Sequence, residues 1–168
     1  MPAPLDPECI FRVLADHAVD YVLIGGLAAV VHGSPAMTND ADIVPRRESS
    51  NLKNLADALR FLEARLRVVD SPDGVAFDPH PALLDSMAML NMTTQCGDLD
   101  LTFTPAGISD YDALVAASIE FELAGCAVKV AALIDIIRSK EAANRPKDHA
   151  TLPILRALAD EINRAPGT

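Results

Sequence analysis

Two acidic residues two positions apart, Asp40 and Asp42, sit just before the apolar pair Ile43-Val44. In a strand, side chains alternate between faces, so these two carboxylates share one face. Like charges held side by side repel unless a cation lies between them. Carboxylate sites of this kind suit Mg²⁺, which keeps several waters and binds substrate phosphates as well. A second acidic pair, Asp98 and Asp100, alternates with Leu99, Leu101 and Phe103. A sheet that set Asp100 beside Asp40 and Asp42 would gather the carboxylates a two-metal site needs. Asp98 reads as part of a polar face turned to water. Upstream, Tyr21 to Ile24 runs into Gly25-Gly26 and then the apolar stretch Leu27 to Val31. A glycine pair opening a helix allows close backbone approach and aims N–H groups at an anion. Ser34, in the following turn, could donate to a phosphate. A phosphate cradle beside metal-binding carboxylates is the chemistry of nucleotides.

The elements that must position these groups follow from periodicity. Pro7 to Ala18 is expected as a helix, with Ile10, Val13, Leu14 and His17 at helical spacing. Tyr21–Ile24 and Asp40–Val44 read as strands, the second stopped by Pro45. Ser50 to Leu66 carries a leucine stripe (Leu52, Leu55, Leu59, Leu62) that predicts a helix capped by Ser49 or Ser50. Arg67 to Asp70 reads as a short strand, and Ser71 to Pro81 as a loop rich in Pro, Gly and Asp. Ser86–Thr94 and Asp98–Thr104 read as a hairpin around Cys96-Gly97. A helix over 110–117, short strands over 121–123 and 126–130, and two closing helices over 132–143 and 147–162 complete the chain. The expectation is a single α/β (α+β) domain over 1–168 with a mixed sheet and flanking helices.

In the first closing helix Leu133, Ile136 and Ile137 form the apolar stripe, and Lys140 falls seven residues after Leu133 on the same side. A lysine on an inner face needs an anionic partner. That partner is either a triphosphate in the site or Asp148, in the first turn of the last helix, and the two roles are compatible.

Composition bounds the alternatives. The 168 residues are half apolar, with a net charge of −10. Such a chain folds, and any contact with nucleic acid must rest on a local patch rather than a basic surface. Arg138, Lys140, Arg145 and Lys147 form the one basic cluster toward the C-terminus. No apolar run reaches the length of a membrane span. The stretch Met1-Pro2-Ala3-Pro4-Leu5-Asp6-Pro7 lacks the features of a signal peptide, which points to the cytoplasm. Cys9, Cys96 and Cys126 lack metal-ligand spacing and read as free thiols of a reducing compartment. Gly-x-Ser-x-Gly, Gly-x-Gly-x-x-Gly and the P-loop pattern are all absent, and the four histidines have no zinc spacing.

The runs Ile24-Gly25-Gly26-Leu27-Ala28, His32-Gly33 and Thr38-Asn39-Asp40-Ala41-Asp42-Ile43 resemble the nucleotidyltransferase superfamily related to DNA polymerase β. The version here is similar to the AbiEii-like branch, which includes toxins of bacterial toxin–antitoxin and abortive-infection systems. The run Ile137-Arg138-Ser139-Lys140-Glu141-Ala142-Ala143-Asn144-Arg145-Pro146-Lys147-Asp148 matches that branch's C-terminal segment. The matches together span residues 20 to 155. The resemblance implies that Gly25 and Gly26 contact nucleotide phosphates and that Asp40 and Asp42 bind Mg²⁺ or Mn²⁺. It implies that Asp100 is the third acidic ligand and helps activate the acceptor, that Lys140 holds the triphosphate and that Asp148 completes the site. The implied reaction moves a nucleoside monophosphate from an NTP to an acceptor hydroxyl. In the toxin branch the acceptor is a tRNA 3′ end, here contacted through Arg138, Arg145 and Lys147, and a cognate antitoxin is the implied partner. Ala36 stands where the branch often has arginine. The long C-terminal helical extension of larger members has no counterpart, so the chain reads as a minimal catalytic module. Two alternatives remain open: transfer to a small molecule such as an antibiotic, and a non-catalytic regulatory binding module of the same fold.

Overall fold

The computed structural model describes residues 2–165. The expectation of one domain over 1–168 therefore extends slightly beyond them. The chain opens with α1 (Pro7–Asp16), β1 (Tyr21–Ile24), α2 (Gly25–Val31), β2 (Asp40–Pro45), α3 (Ser49–Phe61), β3 (Arg65–Val68), β4 (Ser71–Val75) and α4 (Pro81–Ser86). It continues with β5 (Met89–Thr94), β6 (Gly97–Thr102), α5 (Tyr111–Ala117), β7 (Ile119–Leu123), β8 (Cys126–Val130), α6 (Leu133–Ala143) and α7 (Pro146–Arg164). The strands make one eight-stranded sheet in the order β4-β3-β5-β6-β2-β1-β8-β7. It is mixed: β2 runs parallel to β6 and β1 parallel to β8, while the other neighbours are antiparallel. The expected mixed α/β architecture is the one observed.

Alternation on the central strands decides which face is core. Ala41, Ile43, Leu99 and Leu101 are fully buried, and the acidic residues between them point the other way. Ile10 and Leu14 of α1 and Leu55 and Leu59 of α3 join the same apolar cluster. On the other side α2 packs against β1, β2 and α6, and α6 against α7. His32, just past α2, donates from Nε2 to the carbonyl of Ala131 at 2.8 Å, tying the glycine helix to the strand that leads into α6. Among the described residues no helix is long and apolar enough to cross a membrane.

Several local expectations are corrected. Residues 71–75 form the edge strand β4 rather than a loop. An edge tolerates Pro72, and Gly74 takes φ +73° where a side chain would strike the Leu66 carbonyl. Residues 81–86 form a helix where the sequence reads as the end of a loop and the start of a strand at Ser86, and the strand begins only at Met89. Pro81 suits the first helical turn, and the His80 ring accepts from the Leu83 N–H at 3.3 Å. Helix α3 stops at Phe61, earlier than its leucine stripe suggests, because Glu63 turns into the left-handed region at φ +53°. Its N-cap is Glu48, with no side-chain cap from Ser49 or Ser50. Cys9 and Cys96 are not free thiols: they are joined as a disulfide, Cα atoms 5.9 Å apart, and Cys126 alone is free.

Candidate active site

The turn from β1 into α2 is tight for a local reason. Gly25 has φ +73°, and a Cβ there would lie 2.3 Å from Oδ2 of Asp42. A Cβ on Gly26 would meet Oγ1 of Thr38 at 3.0 Å. The glycine pair thus lets the backbone close on the carboxylate strand. Sheet register supplies the rest. Ile24 is opposite Asp42, and the parallel pairing of β2 with β6 sets Asp40 opposite Asp98 and Asp42 opposite Asp100. Carboxylate oxygens of Asp40, Asp42 and Asp100 come within 4.8 Å of one another. Thr38 donates from Oγ1 to the Asp40 carbonyl at 3.1 Å and to its Oδ1 at 3.2 Å, steadying that side chain.

The carboxylates of this cluster repel one another. Burial, then repulsion from Asp40 and Asp100, pushes the Asp42 carboxyl up to about 7, against a smaller opposing pull from Lys147 and Lys140. Burial also raises Asp100, in part offset by Arg67. Three clustered carboxylate oxygen donors fit a hard divalent cation such as Mg²⁺ or Mn²⁺.

Asp98 is not simply solvated. Its Oδ2 lies 2.8 Å from Nη1 of Arg67, whose Nη2 donates to both oxygens of Asp100 at 3.0 and 3.1 Å. Arg67 carries the positive charge nearest Asp100, and nothing in the sequence reading singled it out.

Helices α6 and α7 supply the opposite wall. Lys140, Arg145 and Lys147 line the same cavity as the carboxylates, as do Gly25, Gly26 and Ser34. Asp148 is fully buried and does not line it. Its Oδ2 accepts from the Arg145 backbone N–H at 3.0 Å and from Nε at 2.8 Å, while Nζ of Lys140 lies 3.5 Å from Oδ1. Burial raises its pKa, but the Arg145 hydrogen bonds and Lys140 outweigh that and hold it below the ordinary carboxylate value. Asp148 is therefore the anchor of the cationic wall, reaching the cavity through Lys140 and Arg145. Asp148→Ala would leave Lys140 without its anionic partner. The expected loss of stability is about 3 kcal/mol, the low end for a broken buried ion pair because Arg145 is half exposed. Chemical denaturation of the two proteins checks it.

The basic residues expected to meet RNA do not form one outward patch. Arg138 donates to Asp135 at 2.9 Å, Arg145 is turned onto Asp148, and Lys147 faces the cavity. The cavity measures about 570 Å³, and Met89, Pro105, Ala106 and Ile108 give it an apolar side.

The fold is similar to solved structures. The lincosamide antibiotic adenylyltransferase LnuA, in its lincomycin-bound form, is similar with a TM-score of 0.59 at 13% identity, over 92% of this chain and 99% of its own. The fold is that of the nucleotidyltransferases. An antigenic nucleotidyltransferase-like protein from Paracoccidioides brasiliensis gives a TM-score of 0.57 at 17% identity, over 93% of this chain and 78% of its own. ANT(2″)-Ia, in complex with adenylyl-2″-tobramycin, gives 0.54 at 15% identity, over 91% and 85%. No protein-family model matches the chain, and no curated protein matches its sequence. Within the nucleotidyltransferase fold, the acidic cluster on β2 and β6 and the cationic wall on α6 and α7 face each other across one cavity.

Proposed function

We propose that the chain is a divalent-metal-dependent nucleotidyltransferase. The observation that carries this reading is the meeting of Asp40, Asp42 and Asp100 within 4.8 Å in a cavity whose far wall is Lys140, Arg145 and Lys147. Asp40, Asp42 and Asp100 would hold Mg²⁺ or Mn²⁺. A cation bound there supplies charge that activates an attacking oxygen and offsets charge on the phosphates. The Gly25-Gly26 backbone and Ser34 receive phosphate oxygens, and Lys140, Arg145 and Lys147 hold the β- and γ-phosphates. An acceptor hydroxyl attacks the α-phosphorus and its proton passes to a carboxylate oxygen of Asp100. The bond to the β-phosphate breaks and pyrophosphate leaves toward the cationic wall. Asp148 acts by keeping Lys140 and Arg145 in place.

Among acceptors, a small hydroxylated molecule fits best. The cavity has the volume of a small-molecule site, the basic side chains are engaged inward or on neighbouring acids, and the chain carries a net charge of −10. The toxin-like reading, with tRNA 3′ ends as acceptor and an antitoxin as partner, calls for an outward basic surface. NTP supply points to the cytoplasm, and Cys9–Cys96 ties the N-terminal segment to the β5–β6 turn. The N-terminal segment keeps a second tie there, since Asp6 N–H donates to the Cys96 carbonyl at 2.9 Å.

The test is label transfer from each α-labelled NTP with Mg²⁺, offering total RNA in one reaction and a panel of hydroxylated antibiotics in another. Label on a small molecule is the expected result. Label on tRNA would restore the toxin-like acceptor. No transfer to either, with no nucleotide-induced rise in melting temperature, would favour the non-catalytic binding module.

A further inference from the structure

Sheet register continues the cavity floor beyond the acidic cluster. Asp42 on β2 is opposite Asp100 on β6, and Asp100 is opposite Asn91 on β5. In the same pairing Met89 is opposite Thr102. Leu90 and Met92 are buried in the core with Leu99 and Leu101, so alternation turns Met89 and Asn91 the other way. Both line the cavity, together with Thr102. After β6 the chain bends through Pro105, Ala106 and Ile108, which line it as well. Gly107 lets this loop close on α6: at φ +73°, a Cβ there would lie 2.9 Å from the Arg138 carbonyl.

In phosphoryl transfer the attacking and leaving oxygens stand roughly in line across the phosphorus. Pyrophosphate leaves toward Lys140, Arg145 and Lys147, so the acceptor enters from the side away from them. That side is the β5–β6 floor next to Asp100. Its surface is apolar and neutral polar. Met89 is 53% exposed, an open thioether beside the hydrogen-bonding groups of Asn91 and Thr102. Among the described residues four acids line the cavity. Three are Asp40, Asp42 and Asp100. The fourth, Asp135, is only 8% exposed and accepts from Arg138 at 2.9 Å. The positive charge beside the floor is Arg67, on the strand next to β5. An ammonium group seated here would meet that like charge and find no carboxylate outside the metal cluster. An unpartnered charge is costly to bury, whereas apolar surface gains from contact with Met89 and Pro105.

We propose that the acceptor is a hydroxylated small molecule with an apolar body and at most one amine, seated on Met89, Pro105, Ala106 and Ile108, and that amine-rich sugars are rejected. The inference rests on the nucleotidyl-transfer reading above. In the reaction the acceptor oxygen bonds to the α-phosphorus of the NTP, and its proton goes to Asp100. The bond from the α-phosphorus to the bridging oxygen breaks, and pyrophosphate leaves with that electron pair.

The experiment measures kcat/KM for label transfer with Mg²⁺ and α-labelled NTP. One set of acceptors has apolar bodies and at most one amine, lincomycin among them. The other set is amine-rich sugars, tobramycin among them. Wild type, Met89→Asp and Met89→Leu are compared. Circular dichroism reports the fold of each, and the rise in melting temperature with Mg²⁺ and NTP reports nucleotide binding. Wild type should favour the first set by at least about 100-fold. Met89→Asp should raise KM for those acceptors about 10-fold or more with nucleotide binding unchanged, and Met89→Leu, which keeps the surface apolar, should behave as wild type. Equal or better transfer to the amine-rich set overturns the proposal. So does an unchanged acceptor KM in Met89→Asp, or the same loss in Met89→Leu. Label on RNA alone, or on neither set while Mg²⁺ and NTP still raise the melting temperature, also overturns it. No label and no rise in melting temperature would overturn the nucleotidyl-transfer reading itself.

Discussion

Asp42→Asn is expected to abolish nucleotidyl transfer and, at the same time, to make the metal-free chain more stable at pH 8. The two effects have one cause. Asp42 sits in the middle of the acidic cluster, opposite Asp100 on the neighbouring strand. Its carboxyl is pushed up to about 7, first by burial and then by Asp40 and Asp100. A carboxyl whose folded pKa exceeds its unfolded value binds protons more tightly when folded. Its contribution to stability is then complete below the unfolded pKa, near 4, and is lost as pH rises through about 7. Asparagine cannot ionise. Its advantage over the wild type should be small near pH 4, grow as pH rises toward 7 and level off above it, at up to about 4 kcal/mol. Melting temperatures in EDTA at pH 4.5 and pH 8 measure this. Added Mn²⁺ should reverse the order at pH 8, because only the wild type gains binding energy. Transfer should fall at least about 100-fold, since disturbing even the outer partners of a bound metal costs 10–100-fold. Equal stability of the two proteins in EDTA at pH 8 would contradict the crowded-carboxylate account.

Gly25→Ala should be as damaging to activity, by geometry rather than charge. The residue sits at φ +73°, where a Cβ costs roughly 1–2 kcal/mol. That Cβ would also lie 2.3 Å from Asp42 Oδ2, so Asp42 has to leave its position. Gly125→Ala separates the two contributions: φ is +77° there, yet nothing lies within 4 Å of the added atom. Both variants should lose a similar amount of stability from the backbone alone. Only Gly25→Ala should also lose Mn²⁺ binding and transfer, the latter by about 100-fold or more. Retained Mn²⁺ affinity in Gly25→Ala would show that the turn does not shape the acidic site.

Much of the acidic half was legible in the sequence because it depends on local rules. Strand alternation put Asp40 with Asp42 and Asp98 with Asp100, and the two strands then met in register. Helical spacing likewise placed Lys140 toward the interior, where it pairs with Asp148. What escaped depends on partners far apart in the chain. Arg67 matters only because β3 lies next to β5 and β5 next to β6, and no pattern within residues 65–75 carries that order. The direction of Arg145 was equally hidden. As the N-cap of α7 it closes a capping box with Asp148, so a residue that reads as a surface base is folded back onto its own helix. Helix α4 was missed where Pro81 and His80 outweigh the weak apolar pattern after them. The Cys9–Cys96 bridge joins residues 87 apart, beyond the reach of spacing in a chain with three cysteines.

The two walls of the cavity come from opposite ends of the sequence. Asp40, Asp42, Asp100 and the glycine turn lie before residue 101, whereas Lys140 lies on α6, Arg145 caps α7 and Lys147 lies in its first turn. During synthesis, then, the capacities of the site mature in order. A nascent chain that has reached β8 already carries Asp40, Asp42 and Asp100, the three clustered carboxylates. It lacks Lys140, Arg145 and Lys147, the cationic wall of the cavity. On the proposed function, nucleotide turnover must wait until α6 and α7 have been made, with α6 packed on α2 and α7 on α6. On the proposed function, an unfinished chain on the ribosome would thus carry the acidic half of the site without the cationic wall that completes it.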